Sequence, residues 1–373
     1  MKIGLYLHIP FCKKKCAYCD FNSYQIKKEI QKKYVESLIS EVRFYKKSSL
    51  LVETIYFGGG TPTTLPLADL GKIMKTIKNT HKVSDDVEVS IEANPDGLKT
   101  EYLSGLKKIG FNRISLGIQS FDPKILKVLG RNHSVENSLK AFKQIRKAGF
   151  DNINIDLIYG TPGETVESWK KTVRKAVFLQ PTHISIYPLT LERHVKLKRD
   201  IEKGIYSRID EDDQADKYLL AVDILKKSSF KRYEISNFSL PGYECAHNLL
   251  YWKNKNYLGV GAGAHSFYKK TRFSNFYFPL NYIKAVERRG HGIKKGYREI
   301  LSESIKQEMI LNLRLDEGVE LGKIEKKFGI DVKKWKQKEF EFLRNNGLIK
   351  GGKRIKLSEK GVLLANEVFV RMI

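Results

Sequence analysis

Short β-rich runs alternate with longer amphipathic stretches through the first half of this chain, and that rhythm limits the fold more than any other feature. The predicted strands are Ile3–His8, Thr54–Phe57, Glu88–Glu92, Arg113–Ile118, Ile153–Ile158 and His183–Tyr187, with a further one near Tyr233–Ser236. Helical periodicity falls between them, around Ile30–Lys46, Leu67–Lys78, Glu101–Lys108, Val135–Ala148 and Thr165–Phe178. Strand and helix recurring every roughly thirty to forty residues is the βαβ pattern, which requires a parallel sheet and places functional loops after the strands. Six such units predict an open, partial (β/α)6 barrel of the α/β class rather than a flat doubly wound sheet.

The loop after the first strand carries Cys12, Cys16 and Cys19, a C-x3-C-x2-C spacing. Three thiolates this close together can hold three irons of a cubane [4Fe–4S] cluster and leave the fourth iron open for chemistry or ligand exchange. Structural zinc needs a fourth ligand, and neither His8 nor the distant Cys245 completes a familiar zinc spacing. Four cysteines in 373 residues are too sparse for a disulfide scaffold. The Lys13, Lys14 and Lys15 insert is positioned to lower the thiol pKa values, although it reads equally well as a solvated loop.

Lys and Arg number 68 against 42 Asp and Glu, a formal charge of +26 that favours anionic partners. The lysines are spread over nearly every predicted helix, as at Lys27 and Lys28, Lys294 and Lys295, and Lys333 and Lys334. No basic stripe interleaved with aromatics emerges, so no nucleic-acid partner is expected. No apolar run is long enough for a membrane span. The apolar segment from Ile3 to Phe11 leads into lysines and cysteines rather than a cleavage site, so it is read as a buried strand of a cytoplasmic protein.

Polar and glycine-rich residues cluster just after the predicted strands. Gly58, Gly59 and Gly60 with Thr61 follow the second, in a turn that lacks both Walker A and dinucleotide spacing. Glu92 and Asn94 end the third strand, Gln119 ends the fourth, Arg131 lies in the next helix–loop region, and Asp156 lies in the fifth strand. Singly, each is as readily a cap or a satisfied strand-end group. Their recurrence on successive strand ends around one cysteine loop is harder to explain that way.

Taken in order, these segments resemble the radical S-adenosylmethionine superfamily, and within it the coproporphyrinogen-oxidase-like branch. The resemblance rests on the cysteine loop with Tyr18, Gly58 to Thr63, Glu92 to Pro95, Arg113 to Ser120, Asp156 to Gly163 and Tyr233 to Phe238. It implies that Cys12, Cys16 and Cys19 bind the cluster as metal ligands and that S-adenosylmethionine chelates the fourth iron. It implies also that Tyr6, Gly59, Gly60, Thr61, Glu92, Gln119, Arg131 and Asp156 contact that cofactor. Glu92 and the glycine backbone would take the methionyl amino group, Arg131 the carboxylate and Asp156 a ribose hydroxyl.

Two kinds of protein share the branch. Oxygen-independent coproporphyrinogen III oxidases, radical enzymes of porphyrin biosynthesis, carry a further cysteine two places after the third and a longer segment before the first. Here Phe21 stands at that place and eleven residues precede Cys12. Both departures match the heme-chaperone group instead, so oxidase activity is not expected, and the oxidase stays as the alternative reading. The resemblance extends to His247, Asn248, Tyr251 and Trp252, an H-N-x-x-Y-W motif that it implies binds heme. His265, in a glycine-rich turn, is a second candidate ligand, whereas Cys245 is read as a buried structural thiol. The partners so implied are heme and an acceptor apo-hemoprotein of the respiratory chain, which would bring a cytoplasmic protein to the inner face of the membrane.

The organisation expected is a barrel over residues 1–235, a connecting segment over 236–300 and a small, mainly helical, winged-helix-like domain over 301–373. In that last part, helices are predicted at Ser302–Leu313, Glu320–Phe328 and Val332–Asn345, then a hairpin from Leu348 to Leu357 and a closing helix over Glu359–Met372. Such modules can read DNA. The resemblance implies a compact cap on the barrel instead.

Overall fold

Every residue of Arg113–Gln119 is buried. A strand covered on both faces belongs at the centre of a parallel sheet with helices outside it, and the computed structural model, which describes residues 1–47 and 50–372, places it there. The six leading strands are β1 (Lys2–Ile9), β2 (Leu51–Gly59), β3 (Lys82–Ala93), β4 (Arg113–Gln119), β5 (Asn152–Tyr159) and β6 (His183–Pro188). They pair in sequence order and all in parallel. Helices Lys28–Phe44, Leu67–Thr80, Thr100–Ile109, Val135–Lys147 and Val166–Phe178 fall between them, each turning an apolar face inward. Inward-facing side chains from β2 through β6 line one cavity, so the sheet curls into the predicted open barrel.

The sheet is twice as wide as these six leading strands. Six further strands extend its two edges: β7 (Lys231–Arg232), β8 (Asn237–Ser239), β9 (Tyr257–Val260), β10 (His265–Tyr268), β11 (Thr271–Asn275) and β12 (Ile293–Arg298). The complete order is β12-β11-β10-β9-β1-β2-β3-β4-β5-β6-β8-β7. Strand β9 runs parallel to β1, and β10 to β12 follow as an antiparallel meander. Strands β8 to β12, which fall in segment 236–300, therefore belong to the same sheet as the six leading strands.

The strand expected near Tyr233–Ser236 is instead the turn between β7 and β8. The buried Glu234 carboxylate holds that turn by accepting from Ser236 N at 2.9 Å and from Asn237 Nδ2. Two expected C-terminal helices are also broken. The first divides into Val332–Trp335 and Gln337–Asn345, and the last into Glu359–Leu363 and Ala365–Met372. Val319–Glu320 joins the hairpin strands Ile349–Lys350 and Arg354–Leu357 in a three-stranded sheet. Residues of this unit, among them Ile305, Leu313 and Val368, share one continuous hydrophobic core with the barrel, so the unit is seated on it as a cap. Among the described residues no helix is long and apolar enough to cross a membrane.

Candidate cluster and cofactor site

The cysteine loop leaves the end of β1 and is pinned by backbone bonds to the turn after β2. Gly60 N donates to Ile9 O and Thr61 N to Phe11 O, each at 2.8 Å. A Cβ on Gly60 would sit 2.8 Å from the Phe11 carbonyl oxygen, so only glycine permits this approach. Cys12, Cys16 and Cys19 are free, half-buried thiols that line one cavity of about 380 Å3.

Two of the three sulfurs are joined by a polar chain. Thr61 Oγ1 lies 3.5 Å from Cys12 Sγ and accepts from Asn94 Nδ2 at 2.9 Å, which leaves its own proton for the sulfur. Arg131 donates through Nη2 to Asn94 Oδ1 at 2.6 Å and to Gly117 O at 2.7 Å, and through Nη1 to Cys16 Sγ at 3.4 Å. Ser23 Oγ lies 3.8 Å from Cys19 Sγ. Asn94 thus sits midway between two thiols. Its sequence neighbourhood showed a strand end, and nothing there marked the amide as the bridge.

Glu92 and Asp156 face the same cavity. Burial, then the proximity of Asp156, pushes the Glu92 carboxyl up to about 7, although Tyr56 Oη and Gly59 N donate to it at 3.0 and 3.1 Å. Burial also raises Asp156, against donors from Ser115 at 2.9 Å and Asn154 at 2.7 Å. Gly59, Gly60, Thr61, Gln119 and Arg131 line the cavity with these two carboxyls, Gln119 at a positive φ of 69°. Tyr6 is the exception among the expected cofactor contacts: its hydroxyl lies 3.0 Å from His8 Nδ1. His8 Nε2 donates to Asn22 O at 2.8 Å, so Nδ1 is the acceptor and the Tyr6 proton points at His8.

The sequence profile of the Radical SAM superfamily matches residues 6–176, and that of the HemN C-terminal domain matches residues 301–364. The chain is 37% identical to the heme chaperone HemW of Lactococcus lactis, covering 99% of this chain and 96% of that protein. The chain belongs to the HemW family. Heme chaperone HemW of Bacillus subtilis is 35% identical, with 98% of this chain and 97% of the relative covered. The structure of Escherichia coli coproporphyrinogen III oxidase HemN, a radical SAM enzyme, superposes with a TM-score of 0.89 at 24% identity, covering 99% of this chain and 89% of HemN. At that identity the match speaks for the fold alone.

Membership of the radical SAM superfamily brings a [4Fe–4S] cluster and S-adenosylmethionine, and the donor set fits both. Three free thiols share a cavity wall, and O–H and N–H donors lie near their sulfurs. Burial raises the Cys12 and Cys19 thiols, so binding iron displaces their protons. Among the described residues no three His, Cys, Asp or Glu side chains converge on a single-ion site. A cubane does not ask for that, since each thiolate takes its own iron. When bound, such a centre supplies one-electron chemistry or ligand exchange at iron.

The H-N-x-x-Y-W motif of this chain is the helix Ala246–Trp252, and its members point in different directions. Asn248 faces the cavity. His247 is only 1% exposed, with Nδ1 2.7 Å from Thr54 Oγ1 and Nε2 2.8 Å from Tyr251 Oη. Burial and the Arg113 cation drop its pKa to about 3. Trp252 lies against the cap, with the Arg314 guanidinium 4.3 Å above its ring. As folded, then, the motif fastens the barrel wall to the cap, and His247 has no free lone pair for iron. Cys245 is fully buried, as expected, and donates to Glu88.

Glu88 on β3 also accepts from Ala246 N at 2.9 Å and His247 N at 3.2 Å, placing a carboxylate on the positive end of the motif helix. Glu88→Ala removes that cap and is expected to destabilise the protein by about 1–2 kcal/mol, read from the urea midpoint. An unchanged midpoint would show that the helix is held by its side chains alone.

Proposed function

We propose that this chain binds heme and passes it to an acceptor apo-hemoprotein, with the cluster and S-adenosylmethionine as its resident cofactors. The observation that carries this reading is identity over nearly the full length to several proteins named heme chaperone HemW. Phe21 supports it, because an exposed aromatic stands on the cavity rim where the oxidases carry a cysteine. We assign the acceptor to the respiratory chain and the place of transfer to the cytoplasmic face of the membrane. A net charge of +26 draws such a protein toward anionic lipid without requiring a span.

The reading is tested on the anaerobically reconstituted protein in two assays. Hemin-loaded protein mixed with an apo-hemoprotein is expected to yield the holo acceptor, while coproporphyrinogen III with S-adenosylmethionine and reductant is expected to remain unconsumed. Formation of protoporphyrinogen would replace the chaperone with an oxidative decarboxylase.

A further inference from the structure

The binding reading raises a question of place, because the His247 imidazole is sealed. His8, His183 and His247 each have both ring nitrogens within hydrogen-bond distance of a partner. His265, by contrast, is exposed. It starts β10 beside the cysteine loop, and its cross-strand row runs through Ser274 to Lys295, whose side chains share its face of the sheet. Partial burial and Lys295 lower its pKa, which leaves a neutral ring with a lone pair to offer.

Exposed aromatic side chains on two segments joined through Asn22, beside the glycine-rich turn that precedes His265, offer a shelf. Phe21, Tyr277 and Phe278 are 64%, 49% and 57% exposed, large values for side chains of this kind. The Asn22 amide ties the shelf together by donating to Tyr277 O at 2.9 Å and Ala262 O at 3.0 Å. Gly263 fixes the approach, since a Cβ there would lie 2.5 Å from Asn22 Nδ2 and 3.5 Å from the Tyr277 ring. His265 is two residues further on, at most about 7 Å along the chain. Lys15 stands beside Phe21, its Nζ 3.4 Å from Phe21 O.

Resting on the heme reading, we propose that heme is held on this shelf of Phe21, Tyr277 and Phe278 at the open side of the barrel, with His265 as its axial ligand. The chemistry matches group by group. The porphyrin plane covers exposed aromatic rings, a neutral imidazole meets the iron, and Lys15 and Lys295 answer the two propionates. An apolar protein surface would use the rings and leave the imidazole and the flanking cations without a role. The shelf is also open to solvent, as a carrier that must give up its cargo requires.

The test is a hemin titration of the full-length, cluster-reconstituted protein, followed in the Soret band. His265→Ala is expected to weaken binding roughly tenfold or more and shift the band, and added imidazole is expected to restore the band in His265→Gly. Tyr277→Ala should weaken binding with the band in place, and His247→Gln should retain both. Wild-type spectra and affinity in His265→Ala would overturn the proposal while leaving the chaperone reading intact. Loss of the band only in His247→Gln would also overturn it, as would a change of oligomeric state in Tyr277→Ala at unchanged hemin affinity. Failure of wild type to bind hemin at all would remove the chaperone reading and the site with it.

Discussion

Serine in place of any one of Cys12, Cys16 or Cys19 is expected to lower the reconstituted iron content from about four atoms per chain to nearly none. The reason is that, among the described residues, neither the fourth cysteine nor the nearby His8 is free to stand in. Cys245 is fully buried, donates to Glu88 at 3.4 Å, and burial pushes its thiol up to about 12. Reaching the loop would mean tearing open the base of the Ala246–Trp252 helix. His8 stands near the loop, but its Nδ1 accepts from Tyr6 and its Nε2 donates to Asn22. Serine is too hard and too weakly acidic to replace a thiolate on a cluster iron. Cys245→Ser, by contrast, should keep the full complement. Iron and sulfide assays with the visible spectrum decide the matter. Normal iron content in a Cys16→Ser protein would mean that the three-thiol assignment is wrong.

The same contrast between loop and core explains how far the sequence could be read. Strands β1, β4, β5 and β6 were legible because they are apolar runs buried on both faces, and their observed ends lie within a residue or so of the predicted ones. Strand β3 is longer than its apolar part because exposed residues such as Asp85 and Asp86 continue it at the start. Strands β7 to β12 were not legible: most span two to five residues and take their register from neighbours already in place. In the site, spacing picked out the thiols and the acidic strand ends that share one cavity, since residue type at a strand terminus is visible in the sequence. The bridging role of Asn94 was not legible, because an amide shows its use only when its partners, Thr61 and Arg131, are in position. His247 shows the limit most clearly. Helical spacing puts it on one face with Tyr251, but the hydroxyl that closes its other nitrogen belongs to Thr54, 193 residues earlier.

Glu41 carries the largest stability effect expected here. Its side chain is fully buried under the sheet edge that includes the glycine-rich turn. Gly261 N donates to it at 2.9 Å, Gly292 N at 2.7 Å, Tyr282 Oη at 2.7 Å and Asn275 Nδ2 at 3.0 Å. One carboxylate on helix Lys28–Phe44 therefore fixes the turn that leads to His265 and the segment that returns from the aromatic shelf. Glu41→Leu preserves volume but leaves two backbone N–H groups and a phenol without an acceptor, at about 1–3 kcal/mol each. Relief of the buried charge offsets part of this, so a loss of about 4 kcal/mol is expected. Amide exchange at Gly261 and Gly292 should accelerate, while Cys12, Cys16 and Cys19 still bind the cluster. The charge itself has a separate signature. Burial lifts the Glu41 carboxyl from 4.5 to about 6, so the folded chain holds this proton more tightly than the unfolded chain. The resulting stabilisation is complete below pH 4.5 and is lost as pH rises through 6, a change of about 2 kcal/mol at 1.36 kcal/mol per unit. Glu41→Gln should flatten that part of the stability curve. If both variants unfold at the wild-type urea midpoint at every pH, the turn is held by its glycines and by Tyr34, whose hydroxyl accepts from Ala262 N and donates to His8 O.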